Sequence, residues 1–202
     1  MRLNSLVVAL AFTLSGIALL LPTQAKAQEC IEAQAWVEAH AKQLPTQYDE
    51  FARFSLAYRK AIFAKLSPEA QSNLWKQHYQ QYLETHPNLD KAQVEFIQKL
   101  LGVFTPSLFA QGSSVSTVGA DLARIKEQAT SLFGQTEATL LLATLGPQEQ
   151  ASAAGNKANC SCSTASDYCP ILTFCTTGTA CSYTPTGCGT GWVYACNGDC
   201  FY

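Results

Sequence analysis

Eight of the nine cysteines in this chain lie within its last 45 residues, 158–202, here called the tail. Three chemistries are open to such a group of thiols: disulfide formation, zinc binding and free-thiol reactivity. Structural zinc sites favour pairs of cysteines with two to four residues between them, often with histidine. Only Cys196 and Cys200 have that spacing, and the tail contains no histidine. An even number of cysteines in a short segment instead favours four disulfides. The eight cysteines are Cys160, Cys162, Cys169, Cys175, Cys181, Cys188, Cys196 and Cys200.

Disulfides would supply the stability that so short a segment lacks. A segment of 45 residues buries too little apolar surface to fold alone, and each bridge typically adds about 2–4 kcal/mol by restricting the unfolded chain. We expect a small, irregular β module with frequent turns and a strand-like alternation from Thr190 to Cys196. The pairing stays open because eight cysteines allow about 105 connectivities. If the chain is extended at Cys160 and Cys162, these two share a face and take different partners.

The N-terminal residues 1–27 have the pattern of a secretory signal peptide. Arg2 precedes an apolar run from Leu6 to Leu21, and the small residues Ala25 and Ala27 follow it. The run is 16 residues long, which is shorter than the roughly 20 that a membrane-spanning helix requires. We therefore predict cleavage between Ala27 and Gln28, and a secreted, extracellular protein. A retained membrane anchor, or a lipoprotein built on Cys30, is the less favoured alternative.

Residues 28–145, here called the helical region, have the apolar periodicity of a small α-helical bundle. Start signals support this, because Ser67 precedes Pro68 and Asp90 is followed by Gln93 three residues later. The predicted helices cover 31–43, 47–65, 68–85, 90–103, 117–133 and 135–145. Acidic and basic residues are mixed, and the absence of a basic cluster argues against nucleic-acid binding. The fold class is therefore a mainly α region followed by a disulfide-rich, irregular β module.

The helical region contains no recognisable catalytic or metal motif. Its three histidines belong to no H-E-x-x-H sequence, and there is no G-x-S-x-G and no phosphate loop. A thiol protease pair of Cys30 with a distant histidine lacks any local sign of a nucleophile. We predict no enzyme and no cofactor, and we expect Cys30 to stay free, to pair between two chains or to pair transiently with a tail cysteine.

A linker over 146–157 separates the two regions. It is composed of small and polar residues without apolar periodicity, and it ends at Lys157. Exposed segments of this kind are preferred sites of proteolysis. A processing protease that cuts after Lys157 would release a peptide beginning at Ala158, whereas the alternative is a plain hinge that is never cut.

The tail is rich in aromatic residues and poor in charge. It carries no Lys or Arg and only two acids, Asp167 and Asp199, so attraction of a polybasic segment to anionic lipid does not apply. So few residues cannot bury all of its aromatic side chains, and the surplus would form an exposed patch that contacts a target. The alternative is that they fill space around the disulfides. The predicted target-contact residues are Trp192, Tyr194, Phe174, Phe201 and Tyr202.

Two runs in the tail carry a resemblance to a known family. The sequences ANCSCSTASDYCPILTFC and GCGTGWVYACNG keep both the cysteine spacing and the residues between the cysteines. The tail resembles the fulvocin C-related family of disulfide-bridged bacteriocins made by myxobacteria, and the resemblance covers essentially all of 158–202. It implies a longer precursor with maturation at Lys157–Ala158 and a target in the bacterial cell envelope. The alternative function is an uncut extracellular protein whose tail is a recognition or inhibitor module.

Overall fold

The computed structural model describes residues 23–110, 115–148, 159–178 and 181–202, with side chains from Glu29 and from Val118 in the first two ranges. Within these ranges a helical region precedes a small β region linked by disulfides, which confirms the predicted fold class. Most of the signal segment and the Lys157–Ala158 bond lie outside the described residues.

The described part of the helical region contains seven helices. They are α1 Thr23–Ala39, α2 Tyr48–Phe51, α3 Leu56–Lys65, α4 Pro68–Thr85, α5 Lys91–Val103, α6 Pro106–Phe109 and α7 Val115–Ala143. Local capping explains two of the starts. The Ser67 hydroxyl accepts a hydrogen bond from the Ala70 amide at 3.3 Å before α4. The Asp90 carboxylate and the Gln93 side chain form a reciprocal capping box before α5.

Several helix boundaries differ from the prediction. The helix predicted over 47–65 is divided, because the backbone becomes extended at Ser55 with a ψ of 161°. The buried Arg59 guanidinium donates to the Phe54 carbonyl at 3.0 Å and stabilises this break. The helix predicted over 31–43 ends earlier, at Ala39. The two helices predicted over 117–133 and 135–145 are the two parts of α7, which bends at Gly134, where φ is +78°.

Arg59 of α3 binds the segment that follows α7, at the C-terminal end of the helical region. This side chain is 1% exposed and donates to the carbonyl oxygens of Leu145 and of Pro147, the latter at 2.7 Å. Gly146 between them has a φ of +105°, and a Cβ at this position would lie 2.3 Å from an Arg59 nitrogen. The arginine therefore fixes the segment directly after α7, next to the Ala143 carbonyl that contacts the tail.

The tail forms two small antiparallel sheets. Its elements are β1 Phe174–Thr176, β2 Thr184–Cys188, a 3-10 turn at Thr190–Trp192, β3 Tyr194–Cys196 and β4 Asp199–Phe201. Strand β1 pairs with β4, and β2 pairs with β3 across an irregularity between Thr184 and Cys188. The strand predicted from Thr190 is shorter than expected because Gly191 and Trp192 have φ values of +67° and +60°, which a strand does not accommodate.

A single hydrophobic core extends from the helices into the tail. Trp192 and Tyr194 of the tail belong to the same cluster of buried side chains as the helical residues. The largest fully buried apolar residues of the helical region are Trp75, Tyr79, Phe51, Phe96, Phe104, Ile62, Leu74, Ile97, Leu100 and Leu122. Among the described helices, none has the length and apolar character that crossing a membrane requires.

Candidate functional site

Four disulfides hold the tail together, as its eight cysteines predict. The bridges are Cys160–Cys181, Cys162–Cys175, Cys169–Cys200 and Cys188–Cys196. Their Cα–Cα distances run from 4.9 to 5.8 Å, within the range of an ordinary bridge. Cys160 and Cys162 take different partners, in agreement with their spacing.

The sulfur atoms of Cys162, Cys169 and Cys200 lie within 4.8 Å of one another. They belong to two neighbouring bridges, and a sulfur in a disulfide is not a thiolate that binds a metal. Reduction of both bridges would have to precede any metal binding at this cluster.

Both acidic residues of the tail are used in its internal hydrogen bonding. The Asp167 carboxylate accepts from the amides of Cys169 and Cys175 at 2.7 and 2.9 Å. The Asp199 carboxylate accepts from the amide and the hydroxyl of Ser161 at 3.1 and 2.9 Å. These bonds position the loops around the disulfides, and the two carboxylates serve the tail's own structure.

Trp192 is inserted into the helical region and is only 1% exposed. Its indole N–H donates to the carbonyl of Ala143, at the end of α7, at 2.9 Å. Its ring meets Phe63 and Trp75 edge-on, with centroid distances of 5.4 and 6.2 Å. The tail residue before it, Gly191, lies against Phe104, since a Cβ there would come within 2.9 Å of that ring. We call the four helical residues Phe63, Trp75, Phe104 and Ala143 the socket.

Two turn-forming contacts within the tail present Trp192 to the socket. The Thr190 amide donates to the Ser166 hydroxyl at 3.1 Å, and the Tyr168 and Thr190 hydroxyls are 2.7 Å apart. Gly189, with a φ of +67°, leaves no room for a side chain, because a Cβ would lie 2.6 Å from Ser166. The turn is thus fixed by its own hydrogen bonds and close packing.

Helical side chains that sequence reasoning did not single out also contact the tail. Lys126 donates to the Asp167 carbonyl and lies 4.7 Å from the centre of the Tyr168 ring. Gln135 donates to the Cys169 carbonyl at 3.1 Å. Lys60 lies 3.7 Å from the Cys188 sulfur and 5.9 Å from the centre of the Trp192 ring, and burial lowers its pKa to about 8. Nothing in their sequence context marks these residues, because their role depends on the tail folding back onto them.

Comparison with known proteins decides the affiliation of the tail. Over 46 residues the chain is 94% identical to the bacteriocin fulvocin-C of Myxococcus fulvus, and the match covers 100% of that protein but 22% of this chain. The chain belongs to the fulvocin-C family. No protein-family model matches it, and no solved structure does.

The tail, which carries the match to fulvocin-C, presents an apolar edge on the side formed by β1 and β4. Phe174 and Phe201 stand opposite each other across this strand pair and are 69% and 43% exposed, and Tyr202 is fully exposed. Ile171 and Leu172, in the turn that precedes β1, are exposed as well, and Leu172 has a φ of +71°, which is rare for a bulky residue. We call these five residues the exposed edge.

The five predicted target-contact residues of this family tail therefore lie in two environments. Phe174, Phe201 and Tyr202 are open to solvent, whereas Trp192 and Tyr194 are buried in the intact chain. The role of all five in target contact remains a prediction.

The predicted cleavage positions differ in their surroundings as well. Ala27 and Gln28 lie within α1, and the Lys157–Ala158 bond lies outside the described residues. Cys30 is half-buried and is the one cysteine without a bridge, all nine cysteines being among the described residues.

Proposed function

We propose that this chain is the precursor of a secreted antibacterial peptide, residues 158–202, which a protease releases by cutting after Lys157. The observation that carries this proposal is the match in length. All of fulvocin-C is matched, yet the match takes up only 22% of this chain. A helical region and a linker therefore precede a segment whose relative is a complete bacteriocin. The four disulfides are consistent with an oxidising, extracellular destination.

The proposed partner of the released peptide is the envelope of a target bacterium. The exposed edge supports this, because apolar and aromatic side chains grouped on a surface mark contact sites more often than isolated ones do. Trp192 would join this contact surface once the tail is free of the socket. Contact would rest on aromatic side chains, since the tail has no cationic residue to attract anionic lipid.

One structural observation favours a second candidate, an uncut extracellular protein with a recognition or inhibitor tail. Trp192 is buried among helical side chains and shares their core, as expected of a permanent intramolecular interface. In that case the exposed edge alone would contact a partner, and the helices would serve as its scaffold.

Mass spectrometry of the culture medium of a producing strain separates the two candidates. The precursor hypothesis predicts a fragment that begins at Ala158, with a mass about eight units below its reduced value because four bridges remove eight hydrogens. A Lys157→Ala variant should lose this fragment, with Lys42→Ala, at an exposed lysine of the helical region, as the matched control that keeps it. Recovery of only the full-length chain from Gln28 would support the uncut protein.

Growth inhibition by the purified, oxidised tail tests the activity itself. We expect Phe174→Ala to weaken killing and Thr177→Ala, an exposed but non-aromatic neighbour of β1, to leave it unchanged. Leakage from plain lipid vesicles, measured on the same samples, identifies the target class. Killing with leakage indicates the membrane, and killing without leakage indicates a receptor or wall precursor.

A further inference from the structure

The contact between the two regions is made entirely without covalent bonds. All nine cysteines are described, the four bridges join tail cysteines to one another, and the ninth cysteine is unbridged. The socket residues and Lys126 and Gln135 all precede the linker, whereas the groups that they contact all follow it. A cut in the linker therefore removes none of these interactions.

The contact has the features of a binding site that recognises this particular segment. An aromatic anchor fills a desolvated socket at its centre, and Trp is the residue type most often found in such a role. The anchor's polar atom is satisfied by the Ala143 carbonyl. Around it, side-chain donors from α7 reach backbone carbonyls of the tail at Asp167 and Cys169.

The charges complement this arrangement. The tail carries two acids and no basic residue, and the helical side chains that face it include the cationic Lys60 and Lys126. Both ammonium groups lie near tail aromatic rings, at 5.9 Å from Trp192 and 4.7 Å from Tyr168.

We propose that the helical region is a binding protein for the tail, and that it keeps the cut tail docked through Trp192 until the two pieces separate. This inference rests on the proposed function, since it concerns the state after cleavage. Docking covers Trp192 and leaves the exposed edge open. Because Trp192 belongs to the predicted target-contact residues, the docked tail lacks part of its contact surface and is less active for as long as the socket is filled.

The test begins with the complete chain, in which a site for a sequence-specific protease replaces residues of the linker. After cutting, the complex is held on a sensor through a tag on its helical region, and the release rate of the tail is measured during washing. We expect the two pieces to stay together on a sizing column. We expect Trp192→Phe, which removes the hydrogen bond to Ala143 but keeps a ring, to speed release by about tenfold. Trp36→Phe is the matched control, because Trp36 stacks on His40 within the helical region.

A second pair of variants avoids the core altogether. Gln135 is exposed on α7 and donates to the tail, so Gln135→Ala should speed release by roughly three- to tenfold without disturbing the fold. Its exposed neighbour Thr136, changed to Ala, should leave the rate unaltered. Tail that leaves the native complex as fast as it leaves the Trp192→Phe complex would overturn the proposal.

Growth inhibition distinguishes a failure of this inference from a failure of the proposed function. Equal molar amounts of uncut chain, cut complex and separated tail are added to a sensitive culture, and we expect only the separated tail to be fully active. A separated, correctly bridged tail that kills nothing contradicts the proposed function. A cut chain that falls apart on the column and kills as well as the separated tail contradicts the inference alone.

Discussion

Replacing Trp192 with alanine in the uncut chain should unfold the helices more easily, although the change is in the tail. The side chain is 1% exposed, and a buried aromatic of this size hides about 150–250 Å². At about 25 cal/mol per Å² this corresponds to about 4–6 kcal/mol, an upper value because unfolded chains are partly compact. Truncations of buried Trp and Phe to alanine typically lower the free energy of unfolding by about 3–5 kcal/mol, and we expect Trp192→Ala to fall in that range.

Phe174→Ala is the matched control within the same tail. Phe174 is also aromatic but is 69% exposed, so its truncation removes little buried surface. We expect the free energy of unfolding to change by less than about 0.5 kcal/mol, as for most surface substitutions.

The assay is urea unfolding of the oxidised, uncut chain, followed by the circular dichroism of its helices. This probe reports on the helical region, whereas both substitutions are in the tail. Only a shared core transmits the effect of Trp192 to the helices. A Trp192→Ala loss below about 1 kcal/mol, or the same urea midpoint for both variants, would refute the reasoning.

Three further predictions follow from the buried ionisable groups and the bridges. Burial lowers the pKa of Lys60 to about 8, and tail atoms lie close to its ammonium group. An NMR titration should therefore find a pKa of about 8 in the intact chain and one near 10.4 once the tail is removed, and an unchanged pKa would contradict the docking. Burial also lowers the pKa of His78 from 6.5 to about 4, so its folded form stays neutral while the unfolded form takes up a proton. The free energy of unfolding should therefore be constant above pH 6.5 and should fall by about 3 kcal/mol as the pH drops to 4. In His78→Gln, urea unfolding measured across that pH range should show little of this fall. The Cys169–Cys200 bridge closes a loop of 31 residues, and replacing both by serine should cost about 3–4 kcal/mol in the chain-entropy relation, whereas Cys30→Ser in the oxidised protein should leave thermal and urea midpoints unchanged.

Two helix starts were predictable from local sequence, whereas one helix break was not. The cap at Ser67 and the capping box at Asp90 and Gln93 depend on residues three positions apart, so the sequence predicts them, and the structure has both. The break between α2 and α3 was missed because its stabilising bond comes from Arg59. That side chain also donates to the carbonyl groups of Leu145 and Pro147, more than 80 residues away in sequence.

The disulfides show a similar division. Count, spacing and the lack of histidine are enough to predict four bridges over zinc ligation. The connectivity is not predictable in this way, because each pairing requires two Cβ atoms to approach in space, and sequence distance does not report that approach.

Amino-acid type and order thus determined the cysteine-rich tail, its bridged chemistry, its family affiliation and the helical character of the preceding region. Only the tertiary structure decided which aromatic side chains are accessible. Phe174, Phe201 and Tyr202 are exposed, whereas the equally aromatic Trp192 and Tyr194 are buried. Burial depends on which surface folds over a side chain. For Trp192 that surface is supplied by Phe63, Trp75 and the end of α7, at least 49 residues earlier in the chain.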